Sequence, residues 1–194
     1  MNQTSGVPIR LESANFVLRT MTLDDAALDW GGWLANPTTA RMLNTAPRRM
    51  ELAERQAYVR RFDSRASYLL GIWLKAQDRL IGFWSIYVDQ ERKEFLFNLL
   101  VGNSDDRDHG AQKETSDLIY AHFFDVLGMQ AVRCTVAGQN EQMIAYLKRR
   151  RWTHTGTTQR PSATGDRLVV IHQSRLSKED WRARFDEGWA EAED

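Results

Sequence analysis

Apolar runs and apolar alternation divide the chain into two kinds of segment. Between residues 68 and 101 three runs rich in aromatic and branched residues follow one another: 68–76, 80–88 and 93–101. Only Gln77-Asp78-Arg79 and residues 89–92 part them. Runs of that length with short polar links read as strands joined by hairpins, an antiparallel meander. The third run, KEFLFNLLV, is apolar enough to be buried on both faces. Upstream, Phe16 and Leu18 alternate with Val17 and Arg19, which predicts a strand over 15–20. Downstream, residues 130–137, 151–158 and 167–173 predict three more, the last two joined by the loop 161–165.

The other segments have helical period. Thr22 as N-cap with Asp25 at the capping-box position predicts a helix carrying Leu28 and Trp30. It weakens at Gly31-Gly32 and breaks at Asn36-Pro37. Residues 38–44 predict a short helix. Residues 51–62 predict a clearer one, with Leu52, Tyr58, Val59 and Phe62 toward one side. Over 113–127 the apolar residues Leu118, Ile119, Phe123, Val126 and Leu127 fall at helical spacing, and Gly128 stands where a C′ glycine belongs. Asn140 opens a helix to about residue 150. Ser177 opens a last one with Trp181 and Phe185 inward. Residues 1–13 read as a loose terminus. A crossover helix between 93–101 and 130–137 makes those two strands parallel. The expectation is one mixed α/β domain over 1–194, with a mostly antiparallel sheet of six to seven strands and helices on both faces.

Composition narrows the class. The chain has 194 residues, 42% apolar and 27% charged, which suits one core and an ordered fold. Lys+Arg and Asp+Glu both number 26, so there is no basic excess to meet a nucleic-acid backbone. No run approaches the ~20 apolar residues of a membrane span, and the first residues lack the pattern of a secretion signal. A cytoplasmic location is expected. The one cysteine, Cys134, has no intrachain partner, and no Cys/His cluster has zinc spacing, so no metal is expected. Seven tryptophans point to large buried surfaces or a partner interface.

Candidate chemistry concentrates between residues 93 and 152. A strand that feeds a Gly-containing turn and then a helix leaves unpaired N–H groups at the helix start, a ready anion site. That turn is Arg107-Asp108-His109-Gly110-Ala111-Gln112. It is similar to the phosphate-loop pattern Gln/Arg-x-x-Gly-x-Gly/Ala of the GNAT acetyltransferase superfamily, with Gln112 in the place of Gly or Ala. Glu114 falls where the ribosomal-protein N-terminal acetyltransferase branch often has Glu. The segment 123–129, FFDVLGM, resembles that helix's aromatic-x-x-Leu-Gly-Leu ending. The segment 140–152 resembles Asn-x-x-Ser-x-x-x-Leu/Tyr-Glu-Lys-x-Gly-Phe, with Arg151 in the place of the glycine and Thr155-Gly156 as its tail.

The resemblance covers most of the chain and implies acetyl-CoA as co-substrate and a sheet whose parallel pair is splayed. By it the pyrophosphate lies against Arg107, Asp108, His109, Gly110, Ala111, Gln112 and Lys113. The pantetheine amides pair with the backbone of Leu99, Leu100 and Val101, and Asn140, Met143 and Leu147 line the arm. Asn140 is equally a favoured N-cap. Glu94 stands where many members carry a glutamate facing the thioester, and is the expected base. Tyr146 is the expected acid, although many members place the tyrosine at the position of Leu147, and one residue rotates a helical side chain by ~100°. None of the four histidines has a metal-ligand partner at suitable spacing. The acceptor is a protein N-terminus or a small-molecule amine, entering between residues 24–62 and the loop 159–167, with Trp30, Trp33 and Tyr58 as candidate lining. The protein is expected to be a monomer or homodimer. The alternatives are a non-catalytic acyl-CoA-binding or regulatory module of the same fold, and an interaction protein that uses its tryptophans.

Overall fold

Eight strands form one sheet in the order β1-β2-β3-β4-β5-β6-β8-β7. They are β1 (Arg10–Glu12), β2 (Phe16–Thr20), β3 (Ser67–Leu74), β4 (Arg79–Asp89), β5 (Glu94–Val101), β6 (Ala131–Ala137), β7 (Thr153–Pro161) and β8 (Leu168–Ser177). The structure, a computed structural model, describes residues 6–107 and 110–186, with backbone alone at 185 and 186. Asp108, His109 and the Phe185 side chain therefore lie outside the described residues. Every neighbouring pair is antiparallel except β5 and β6. The mixed α/β expectation holds, with one strand more than the six to seven expected. The extra strand is β1, inside the segment read as a loose terminus: Leu11 pairs with Leu18.

Helices cover both faces: α1 (Pro37–Met42), α2 (Leu52–Arg60), α3 (Ser104–Arg107), α4 (Ala111–Ala121), α5 (Glu141–Arg149) and α6 (Lys178–Asp186). One face of the sheet packs Trp84, Phe95 and Phe97 against Ile119, Tyr120, Phe123 and Phe124. Burial of each such side chain stabilises the fold by about 1.5–3 kcal/mol. On this face Trp84 Nε1 donates to Thr115 Oγ1 of α4 at 3.0 Å, so its polar edge is satisfied. The opposite face packs Leu69, Trp73 and Phe83 under Trp30, Trp33, Met50 and Val59. Trp30 and Trp33 are thus core residues there, and Trp30 Nε1 donates to the Asp25 carbonyl at 3.0 Å.

Three expected helices differ in detail. Over 22–36 the structure has two short 3-10 turns, Asp24–Ala27 and Trp33–Ala35. Asp25 does not close a capping box on a helix. It accepts from Arg19 through both oxygens at 2.8 Å and from the Thr22 N–H at 2.7 Å. Burial raises the Asp25 carboxyl, and the Arg19 and Thr22 bonds outweigh it and hold the group below the usual carboxylate range. α4 ends at Ala121 and continues as a π-helical turn, His122–Val126. That extra residue per turn carries Val126 out to solvent, 69% exposed, against the inward position its spacing predicts. Gly128 then closes the segment at φ +72, as a C′ glycine should. On α2, Leu52 is exposed and Val59 buried.

Candidate active site

β5 and β6 pair at only three positions: Glu94 with Ala131, Phe95 with Val132, and Leu96 with Arg133. β5 runs on to Val101 and β6 to Ala137, and neither bonds the other beyond Leu96 and Arg133. β5 stays paired to β4 along its whole length, and β6 to β8. The gap is therefore a parting of two well-supported half-sheets rather than a frayed edge. A strand run with one side unpaired offers main-chain N–H and C=O groups to an extended amide ligand.

The parting opens a cleft of about 880 Å³. Leu99, Leu100 and Val101 form its β5 wall, and Cys134, Thr135, Val136 and Ala137 its β6 wall. Arg107 and Gln112 lie at one end, Asn140, Met143 and Tyr146 along α5, and α1 contributes Thr39 and Met42. The structure thus brings Leu99, Leu100, Val101, Arg107, Gln112, Asn140, Met143 and Tyr146 together.

Asn140 caps α5, its Oδ1 accepting from the Met143 N–H at 3.2 Å. Gly110 is exposed at the α4 N-terminus with φ +70, a backbone that disfavours any side chain, and no atom lies within 4 Å of where a Cβ would stand. Among the described residues nothing covers that turn. Gln112 does not plug it: its Nε2 donates to Met143 Sδ at 2.9 Å, which turns the side chain toward α5. Arg107 Nη2 donates to Thr39 Oγ1 at 2.6 Å.

The side chains of Glu94, Leu147, Ala111 and Lys113 do not line the cleft. Glu94 sits at the closed end of the parting, five residues before Leu99, roughly 16 Å along the strand. There its carboxylate takes Arg175 Nε at 2.9 Å and Arg133 Nε at 3.0 Å. It is an ion-pair hub that clamps β5, β6 and β8, and it is not brought to the cleft as the expected base. Leu147 is buried in the α4-side core, because the helical turn that points Tyr146 at the cleft points its neighbour inward. Ala111 is likewise a core side chain, and Lys113 is exposed outside the cleft wall. Glu114 braces α4 against the β1–β2 turn, accepting from the Asn15 N–H at 2.8 Å and Asn15 Nδ2 at 3.0 Å.

Tyr146 Oη lies 3.1 Å from Ser116 Oγ. The Ser116 hydroxyl already donates to the Lys113 carbonyl at 3.0 Å, so in this pair the tyrosine is the donor and the serine accepts. Cys134 faces the cleft but is buried, and burial pushes its thiol up to about 12. It is a thiol and not a thiolate at neutral pH, so it is no nucleophile.

Two polar residues from the splayed strands were not singled out by their sequence: Asn98 and Thr135, both exposed into the cleft. Asn98 is the one polar residue within the apolar run 95–101, a signal that was available. Asn44, Arg149 and Arg160 also line the cleft, and nothing local in the sequence marks them. A second cavity of about 830 Å³ lies beyond Trp33, lined by Trp30, Trp73, Arg19 and Arg79 among others. Its arginines are engaged internally, Arg19 with Asp25 and Arg79 with Asp106. Among the described residues no three His, Cys, Asp or Glu side chains gather to hold a metal, and no helix is long and apolar enough to cross a membrane.

The sheet is thus parted between two parallel strands, with a glycine turn at the head of the next helix. The family model for the acetyltransferase (GNAT) domain matches residues 15–151, and the chain belongs to that family. No curated protein matches its sequence as a relative. Among solved structures it is similar to a spermidine N-acetyltransferase from Vibrio cholerae in complex with CoA and spermine, with TM-score 0.75 and 13% identity over 88% of this chain and 99% of that one. A GCN5-related N-acetyltransferase from Brucella melitensis gives TM-score 0.72 and 14% identity, over 97% of this chain and 89% of that one. RimL, a ribosomal L7/L12 alpha-N-protein acetyltransferase, gives 0.72 and 12%, over 91% and 98%. At these identities the likeness is one of fold.

Proposed function

We propose that the protein transfers an acetyl group from acetyl-CoA to a primary amine by direct attack, without an acyl-enzyme intermediate. The observation that carries this reading is the parting of β5 and β6 beyond Leu96 and Arg133. The main chain of Leu99, Leu100 and Val101 would hold the pantetheine amides, as an added strand does. Gly110 and the first N–H groups of α4 would meet the pyrophosphate, with Arg107 adding charge at the same end. Acetyl-CoA supplies the activated acyl group. The residues supply position and proton handling.

Among the described residues the cleft wall contains one carboxylate, Glu141, at the start of α5. The ammonium proton therefore leaves through water held by Asn98 and Thr135, the polar side chains that the two parted strands contribute. Tyr146 is placed to protonate the departing thiolate once its hydroxyl turns from Ser116. The raised Cys134 thiol favours a direct mechanism over a ping-pong one. Acetyl-CoA is a cytoplasmic co-substrate, so a cytoplasmic location goes with this reading.

The test is thiol release from acetyl-CoA against a panel of primary amines, beside calorimetric titration with CoA. Amine-dependent release with one CoA per chain supports the enzyme. CoA binding with no release for any amine would leave an acyl-CoA-binding module in its place.

A further inference from the structure

The cleft has two sides, and they differ in cover. On the side away from α4, α1 is tied across the parting. Arg107 fastens Thr39 from the β5 side. From the other side, Gln139 Nε2 donates to the Arg41 carbonyl at 2.9 Å. Asn44, just past α1, donates through Nδ2 to the Pro161 carbonyl at 3.2 Å and accepts from the Ala163 N–H at 3.1 Å. A segment fastened at both ends roofs the mouth. What enters there must be slender, because a folded protein surface cannot press into a roofed mouth without breaking these bonds.

Among the described residues the cleft lining holds Arg107, Arg149 and Arg160 against one carboxylate, Glu141. Arg107 is engaged with Thr39. Arg160 is different. It pairs in register with Val169 on β8, and Thr158 pairs with Ile171. Register partners and residues two apart share a face, so Arg160 stands on the same face as Ile171, which lines the cleft. It adjoins Pro161, where Asn44 fastens the roof. No carboxylate or carbonyl among the described residues engages its guanidinium. An exposed guanidinium beside apolar side chains at the rim of a roofed mouth is suited to a carboxylate or phosphate, which it holds through two parallel N–H bonds. A polycation would meet a like charge there.

We infer that the acceptor is a small primary amine that also carries a carboxylate or phosphate, and that Arg160 binds that anionic group; this rests on the acetyltransferase reading above. The experiment compares matched acceptors under fixed acetyl-CoA: phosphoethanolamine with ethanolamine, γ-aminobutyrate with butylamine, together with spermidine and an acidic tetrapeptide. At least one anionic amine should exceed its neutral twin at least tenfold in kcat/KM, and the pair in which it does so tells phosphate from carboxylate. Arg160→Ala should erase that preference, mainly through KM, and Arg160→Lys should restore part of it. Calorimetric CoA affinity should stay within twofold in both variants. Spermidine or the tetrapeptide as the best acceptor would overturn the inference, as would a preference unchanged in Arg160→Ala. A fall in CoA affinity in Arg160→Ala would overturn it too, by assigning the arginine to the cofactor. Absence of transfer to every amine, with CoA still bound, would instead overturn the acetyltransferase reading on which the inference stands.

Discussion

Leu96 and Arg133 are the last residues of β5 and β6 to face each other as partners. Just behind them Glu94 grips both Arg133 and Arg175. The parting is therefore built on a fastened hinge: an ion-pair clamp at the closed end and β4 and β8 bracing the open arms. This relationship separates what Glu94 does from what its place in the sequence suggests. A carboxylate held by two guanidinium groups at the closed end of the cleft ties β5 to β6 and β8.

Replacing Glu94 should accordingly cost stability rather than chemistry. Glu94→Gln removes the charge from both pairs while keeping the shape. Hydrogen bonds to charged groups contribute about 1.5–3 kcal/mol each when well buried, and the arginines here are partly exposed, so a loss of about 1–2 kcal/mol is expected. Chemical denaturation measures it. Turnover at saturating substrates should stay within about threefold, and a loss above a hundredfold with unchanged stability would return Glu94 to the role of base.

Tyr146 and Ser116 make opposite predictions. Tyr146→Phe removes the proton donor and should lower kcat by about 10²-fold, at the lower end of what a positioned acid contributes. CoA affinity should hardly move. Ser116→Ala removes the hydroxyl that accepts from Tyr146 and donates to the Lys113 carbonyl, and leaves the tyrosine hydroxyl in place. It should keep kcat and cost about 1 kcal/mol of stability. Steady-state kinetics of the two variants side by side checks this, and equal losses in both would mean the pair is structural.

Cys134 should be inert. With its thiol pushed up to about 12, only a minute fraction is thiolate at pH 7.5. Iodoacetamide should label the folded protein far more slowly than the unfolded chain, as intact mass reports. Cys134→Ala should retain turnover, and initial-rate patterns should intersect rather than run parallel.

The central strands were legible because β3 to β6 are long apolar runs whose burial and pairing demand little of distant sequence. β1 was not: three residues, Arg-Leu-Glu, are too few to display a period. The helix expected over 22–36 failed for an electrostatic reason, since the Asp25 carboxylate serves Arg19 on the neighbouring strand. The Asn140 cap and the Gly128 stop were readable from local chemistry. Arg151 takes the left-handed backbone at φ +51 that its glycine-like position requires, so the turn forms there even with a side chain. The clamp around Glu94 and the roof from Asn44 to Pro161 and Ala163 were not readable, because Arg175 stands 81 positions from Glu94, and Pro161 and Ala163 stand 117 and 119 from Asn44. Those long-range pairs hold Glu94 outside the cleft lining, where Asn98 and Thr135 stand.

The claim on which the account turns is that the open main chain between β5 and β6 takes the arm of CoA, with its diphosphate at Gly110. Isothermal titration with CoA, run on the wild type and on Gly110→Trp, tests it most directly. The account predicts one CoA per chain for the wild type and at least tenfold weaker binding for the variant, whose circular dichroism should match the wild type. No binding to the wild type, or equal affinity in the two proteins, would contradict it.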